Sequence, residues 1–275
     1  MEPKTMEPKG TERRGTETAT RVADVLLLFT DGPDSLGVSA IARSLGLSKT
    51  VVHRTLSSLL ERGFLVSDPH TREYSLGPSL ASLGARALRE SSLRTAALPV
   101  MRRLHGVTGE TVTISARVPG GRAYIEQIES TREIKMTVEL GRRFPLHAGS
   151  SSMCILAFLP EAERRDYLTD HPLEALTTKT VTDARELQAR LENVRARGVA
   201  ESDGERQQGA GSVAAPIFGF DGQVVGALSV CGPAYRMHGE ARAALIPHVR
   251  AAADEVSRGL GWRGGPPHEM TQDAS

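Results

Sequence analysis

Cysteine is almost missing from this chain. There are two, Cys154 and Cys231, far apart and each inside an apolar stretch. That excludes a disulfide-stapled scaffold and every zinc or thioredoxin-type spacing. Long apolar runs are also missing. Nothing approaches the ~18 residues that cross a bilayer, and the first residues lack the apolar core of a secretory leader. The expected setting is a reducing one, the cytoplasm. Charge of one sign is missing too: the formal net charge is +1, which by itself speaks neither for nor against a polyanionic partner. Aromatics make up only 4% of the residues, but hydrophobic residues reach 39%. With 275 residues, that is enough apolar material for about two domains.

Catalytic signatures are equally scarce. There is no phosphate loop, nucleophile elbow or metal triad. His105, His147, His171, His238 and His248 are scattered. Two acid–base juxtapositions exist, His147 near Ser150 and Glu126 near Glu129, and neither forms a known constellation. An enzyme in the second half of the chain stays open as an alternative. So does a redox sensor built on Cys154 and Cys231, which would need an exposed thiol of low pKa.

What the chain does have is the stretch from Val38 to Leu65, VSAIARSLGLSKTVVHRTLSSLLERGFL. Ile41, Ala42 and Leu45 give a first short helix an apolar face. Gly46 stands where the chain must turn sharply, a position that favours positive φ. Ser48 fits the N-cap of a second helix. In that helix Val52, Leu56, Leu59 and Leu60 fall on one face at three-to-four spacing, and Lys49, Thr50, His53, Arg54 and Ser57 fall on the other. Between Val38 and Leu60 stand Arg43, Lys49 and Arg54, with no carboxylate. An apolar inner stripe under a basic, hydroxyl-rich outer face suits a helix that enters a major groove.

A ribbon should follow, with Phe64–Val66 and Glu73–Leu76 as strands around the turn Asp68-Pro69-His70-Thr71. Arg72 would lie near its tip. Upstream, residues 21–29 predict a supporting helix with Val22, Val25, Leu26 and Phe29 inward. The expected DNA-facing set is Arg21, Ser48, Lys49, Thr50, His53, Arg54, Ser57 and Arg72.

The expected organisation has five parts. Residues 1–19, which repeat MEPK, form a disordered tail. Residues 20–76 form a winged helix-turn-helix, and 77–90 a linker helix with Leu80, Leu83 and Leu88 as its apolar pattern. Residues 91–263 form an α+β domain, and 264–275 a second tail. In the α+β domain, a helix over 91–107 carries Leu93, Ala97, Val100, Met101 and Leu104 on one face, with Pro99 as a kink or restart. Strands are expected over 111–118, 122–128, 134–140, 199–201, 212–218 and 224–231. Helices are expected over 150–159, 161–168, 183–197 and 239–259. Hairpins outnumber βα alternations, so the sheet should be mainly antiparallel.

Several motifs in order make the chain resemble the IclR-type bacterial transcriptional regulators over residues 20–261. They are GLSKTVVHRTLSSLLERGFL (46–65), YSLGPSLASLG (74–84), GRRFPLHAGS (141–150), RGVAESDGER (197–206) and GSVAAPIFGFDGQVVGALSVCGP (211–233). The resemblance implies a winged helix joined to a GAF-like effector-binding domain, with homodimers or dimers of dimers on palindromic double-stranded operators. It also implies a small-molecule effector, such as an aromatic or short-chain organic acid, and no cofactor. Whether operator binding represses or activates is left open.

The expected pocket takes Gly149, Ser150 and Ser151 from a helix start, Asp203 from a closing loop, and Ser212, Ser229 and Cys231 from central strands. Met136 and Val138 would form an apolar wall. One departure matters. Where the family has Gly-Lys, this chain has Ser152-Met153, so the reading assures the pocket no cation.

Overall fold

The computed structural model describes residues 16–90 and 92–264. They divide into two compact units, the first reaching Leu83 and the second starting at Gly84. Among the described residues, no helix is long and apolar enough to cross a membrane.

The first unit is built on α1 (Glu17–Asp31), α2 (Val38–Leu45) and α3 (Lys49–Glu61), followed by β1 (Leu65–Ser67) and β2 (Tyr74–Leu76). Helix α1 starts earlier than the sequence suggests. The Thr16 side chain caps it by accepting from the Ala19 N–H, so the expected 1–19 tail gives up its last residues to a helix; residues 1–15 lie outside the described residues. Gly46 ends α2 at φ 64°, its N–H returning to the carbonyls of Ala42 and Arg43. Side chains with a Cβ pay strain there. The Ser48 hydroxyl accepts from Val51 N–H and caps α3.

Val25 and Phe29 of α1, Ile41 and Ala42 of α2, and Val52, Leu56 and Leu59 of α3 close on Leu65 as one core. Strands β1 and β2 pair antiparallel, Leu65 against Leu76, and Leu36 adds a short third rung by exchanging both backbone bonds with Tyr74. At the tip the Asp68 carboxylate accepts from the N–H groups of His70 and Thr71. Helix α4 (Pro78–Glu90) then leaves the ribbon, with Ser79 donating to the Arg62 carbonyl. Of the expected linker stripe, Leu83 is exposed, and the Leu88 side chain lies outside the described residues.

The second unit holds α5 (Ser92–Thr108), β3 (Thr111–Val118), β4 (Gly121–Ile128), β5 (Arg143–Phe144), α6 (Ser150–Ala157), α7 (Glu161–Asp170), α8 (Ala184–Arg197), β6 (Ala200–Asp203), β7 (Ala210–Phe218), β8 (Val224–Pro233) and α9 (Gly239–Gly259). The strands form one antiparallel sheet in the order β5-β4-β3-β8-β7-β6. It is an α+β unit of GAF-like layout. One face packs on α5 and α9 through Val112, Ile114, Val213, Ile217, Leu228 and Val230. The other packs on α6 and α8 through Ala200, Ala214 and Ala227. With both faces covered, β3 is buried at five successive positions, Thr111–Ser115. Helix α5 runs on through Pro99.

One expected strand needs correction. Residues 134–140 form no strand; only Leu140 makes a bridge, to Tyr124. The segment is held by side chains instead. The Gln127 amide donates to the Val138 carbonyl and accepts from the Val138 N–H, and the Thr111 hydroxyl donates to the Met136 carbonyl. With those groups occupied, the ladder position beside β4 falls to β5, which the sequence did not announce.

Leu56 is fully buried at the centre of the first unit's core. Leu56→Ala should destabilise that unit by about 2–5 kcal/mol, lost transfer energy plus cavity. Urea unfolding followed by hydrogen exchange should show the loss in α1–α3 amides and leave the sheet of the second unit protected; equal loss in both units would contradict the division.

Candidate functional site

The outer face of α3 presents Ser48, Lys49, Thr50, His53, Arg54 and Ser57, all exposed. The α3 dipole places its positive end at Ser48 and Lys49, which suits a phosphate. Arg54 stands at the shoulder of the helix, where it shares a groove of about 230 Å³ with Thr18, Arg21 and Val22 of α1. Arg21 is ion-paired to Glu17 one turn earlier. Arg72 occupies the ribbon's turn with φ 57°, the one non-glycine residue with positive φ among those described. Its side chain is exposed.

The second candidate site lies on the sheet face that meets the start of α6. Strand parity decides its lining. On β8, Leu228 and Val230 enter the α5/α9 core, so Ser229 and Cys231 point the other way. Ser212 of β7 is the cross-strand partner of Cys231. The expected residues Met136, Gly149, Ser150, Ser151, Ser212, Ser229 and Cys231 all line one cavity. The Ser150 and Ser212 hydroxyls bond each other at 2.7 Å.

Two expected residues do not line it. On β6, Ala200 and Ser202 are buried and Asp203 is exposed, so Ser202 takes the place expected for Asp203. A shift of one residue along a strand changes the face. Asp203 instead pairs with Lys179 at 2.9 Å. Val138 is only half-buried and is spent on Gln127 through its backbone.

The residues the sequence did not single out carry the charge. Arg122 of β4 is 1% exposed. Its Nε–H donates to Ser152 Oγ at 2.7 Å, Nη1 to Ser115 Oγ at 2.9 Å and Nη2 to Tyr124 OH at 3.1 Å. All three acceptors are hydroxyls. Its guanidinium also lies over the Tyr124 ring, 4.3 Å from the centroid. Burial pulls the Arg122 pKa below its ordinary value, the attraction of Tyr124 working against that and the neighbouring Arg206 adding to it.

Arg206 is half-buried and covers the same aromatic pair from its own side, 5.0 Å from the Phe144 centroid and 5.7 Å from that of Tyr124. Glu205, the cavity's acid, is spoken for: it accepts from Arg190 at 2.8 Å and from the Gly149 N–H at 3.3 Å. The enclosed space is about 30 Å³, room for a water or two. Arg122 was illegible because an arginine between Ala123 and a turn glycine reads as a solvent-facing strand position; the start of α6 and the Tyr124 and Phe144 rings, brought together by the fold, bury it.

The other chemistries find little support. His147 bonds the Tyr167 hydroxyl and the Glu174 carbonyl, Glu126 is paired with Arg94 and Glu129 with Lys135. Among the described residues no group of His, Cys, Asp or Glu could hold a metal. Burial pushes both thiols from the usual 9.0 up to about 12, and Cys154 Sγ–H donates to the Ala214 carbonyl.

Comparison with known proteins matches residues 18–69 to the IclR helix-turn-helix domain and residues 85–258 to the C-terminal domain of bacterial transcriptional regulator IclR. The HTH-type transcriptional regulator BhcR of Paracoccus denitrificans is 33% identical over 243 residues, 88% of this chain and 87% of that protein. An IclR-type transcriptional regulator from Alicyclobacillus acidocaldarius superposes with a TM-score of 0.78 at 30% identity, over 90% of this chain and 100% of that one. An IclR homologue from Microbacterium hydrocarbonoxydans, solved with 4-hydroxybenzoate, superposes with a TM-score of 0.70 at 26% identity, over 89% of this chain and 99% of that one.

Thiols held near 12 are protonated at pH 8, with about a thousandfold less thiolate than an ordinary cysteine of pKa 9.0. Iodoacetamide at pH 8 should therefore leave Cys154 and Cys231 unlabelled in the folded protein and label both after guanidinium unfolding. Rapid labelling of either in the native state, read by intact mass, would revive a redox role.

Proposed function

The chain belongs to the IclR family of bacterial transcriptional regulators, and from that premise we propose how it reads DNA and where it is controlled. It is a DNA-binding regulator with a C-terminal effector-binding domain. The reading proposed is that α3 enters the major groove with Thr50, His53, Arg54 and Ser57 toward base edges. Ser48 and Lys49 meet phosphate, and Arg72 reaches the backbone or minor groove from the ribbon. The observation that carries it is the exposed outer face of α3 from Lys49 to Ser57, whose side chains are hydroxyl or basic; the helix's carboxylate, Glu61, stands at its last position, paired with Arg62. Arg21, beside Arg54 across the α1/α3 groove, adds a phosphate contact once released from Glu17.

One winged helix covers few base pairs, so the working form proposed is a homodimer, or a dimer of dimers, on a palindromic operator. The place of action is the cytoplasm, where the operator is. The effector proposed is a small organic acid, held where Gly149, Ser150, Ser212 and Ser229 converge. The 4-hydroxybenzoate held by the Microbacterium homologue supports that class. Such a ligand changes operator affinity only as far as it binds the DNA-competent and incompetent arrangements differently, and linkage makes the effect reciprocal.

Arg54→Ala should weaken specific operator binding by about 1–3 kcal/mol, roughly 5- to 150-fold at fixed salt, and relax base preference at one position per half-site. Footprinting on the DNA flanking the gene, with gel-shift titration of both proteins, checks this; unchanged binding removes Arg54 from the interface. Light scattering at micromolar concentration should return at least a dimer, and the footprint should have inverted-repeat symmetry. A monomer with an asymmetric footprint overturns the symmetry.

A further inference from the structure

We propose that the second unit holds a further ligand site, a groove between α7 and the β3–β4 turn that takes an organic ammonium with an apolar body, of the arylalkylamine type. The groove measures about 500 Å³, within the range of small-molecule sites. It is separate from the cavity at the start of α6, and no residue lines both. It exists because of the make-up of α7. The sequence EAERRDYLTD has one buried side chain, Tyr167, so α7 packs through one ring and does not close the space beside it. Glu163, Asp166, Tyr167, Asp170 and His171 recur at helical spacing, share one face, and all line the groove.

The opposite wall is apolar, with Val118 and Pro119 of the turn beside Leu146 and Leu159. The aromatic part is held in place without a ligand. Tyr167 and His171 stack, their ring centroids 4.4 Å apart at 14°, and the Tyr167 hydroxyl accepts from the Leu146 N–H at 2.8 Å. Such a wall suits the flat, apolar part of a ligand. The rim supplies the charge. Of its three carboxylates, Glu163 is answered by Arg117. Asp166 and Asp170 are exposed and make no hydrogen bond or ion pair with any described residue. Asp170 also ends α7, whose last turn holds no basic residue. A carboxylate there opposes the helix dipole, and an ammonium set beside it would offset that cost. Asp166 and Asp170 are one turn apart, near enough for one cation to meet both. An inorganic cation is not the complement, since no described group of His, Cys, Asp or Glu could hold a metal. An ammonium on an apolar body matches rim and wall together.

The test uses the full-length protein and matched probes. Phenethylamine and tyramine are compared in thermal shift and calorimetry with 2-phenylethanol, which keeps the body without the charge, and methylamine, which keeps the charge without the body. Sodium chloride is matched for ionic strength. At a hundredfold excess over its dissociation constant a bound arylalkylamine should raise Tm by about 5 °C or more, and the two partial probes should each bind at least tenfold more weakly. Asp166→Asn combined with Asp170→Asn should weaken the better amine by about tenfold, the sum of two solvent-screened ion pairs. Both positions are exposed, so the double variant should fold, and its unliganded Tm should stay level or rise because the acid at the helix end is gone.

Three results overturn the proposal: neither arylalkylamine binds, a partial probe binds as tightly as the amines, or the double variant keeps full affinity. A basic peptide is the remaining occupant for an acidic rim. Binding of tetralysine in place of the amines, lost in the double variant, also overturns the proposal, since the groove would then be a docking face for a protein.

Discussion

A sheet covered by helices on both faces has no water left for its polar residues, and that constraint organises the second unit. Along β3, β7 and β8 the α5/α9 face is aliphatic throughout. The opposite face changes character along its length. Where α6 and α8 pack flat it is Ala200, Ala214 and Ala227. Where α6 begins it becomes Thr113, Ser115, Arg122, Tyr124, Ser212 and Ser229, polar groups that are buried or line the cavity. Buried polar groups persist only when bonded, so this end of the sheet has to be a network. Every buried side-chain nitrogen and oxygen described has a partner. A network of that kind is rigid when every member is satisfied, and an unpaired buried polar group in it is costly.

The neighbouring segments are tied to the same network. The 204–205 backbone is gripped by Thr177 and Thr180, whose hydroxyls donate to the carbonyls of Gly204 and Glu205. The Glu205 side chain reaches α8 through Arg190 and the α6 start through Gly149. Across the site, Met136 is tied to β3 by Thr111, and the 130–134 turn is tied to Glu110, which accepts from both Arg132 and Arg236. The loop that carries Arg206 is thus attached to both α6 and α8, in a close-packed surrounding that does not absorb small shifts locally.

How much of this was legible depends on the range of the determining contact. The helix-turn-helix was legible because its determinants are local: Gly46 takes the left-handed turn, Ser48 caps, and Val52, Leu56 and Leu59 repeat at helical spacing. The paired strands around Gly120 and Gly222 were legible for the same reason. Residues 134–140 misled because their alternation is real, Met136 and Val138 being half-buried between exposed neighbours, yet the partner on β4 is the Gln127 side chain rather than a backbone ladder. Asp203 misled by one register step, since the composition of a loop does not reveal which face its strand presents. Arg122 was hidden because burial is a tertiary property. Nothing within five residues of it distinguishes a solvated strand arginine from a buried one.

Where the cation sits also explains the residues that replace Gly-Lys at the start of α6. Met153 is 3% exposed and belongs to the α6/α8 core, so that position supplies packing and no charge. Ser152, which precedes it, is wholly buried and supplies the oxygen that grips Arg122 Nε. Without that hydroxyl, a strand arginine would leave its Nε–H unsatisfied against the helix, at a cost of about 1–3 kcal/mol. Without Arg122, the hydroxyl would have only the Pro145 carbonyl as its partner. Ser152 and Arg122 thus act as one unit split between a helix and a strand. A guanidinium fixed at three points on a central sheet loses less rotamer freedom on meeting a ligand than a lysine on a flexible stem. The same three bonds tie β4 to β3 and to the start of α6 through one side chain.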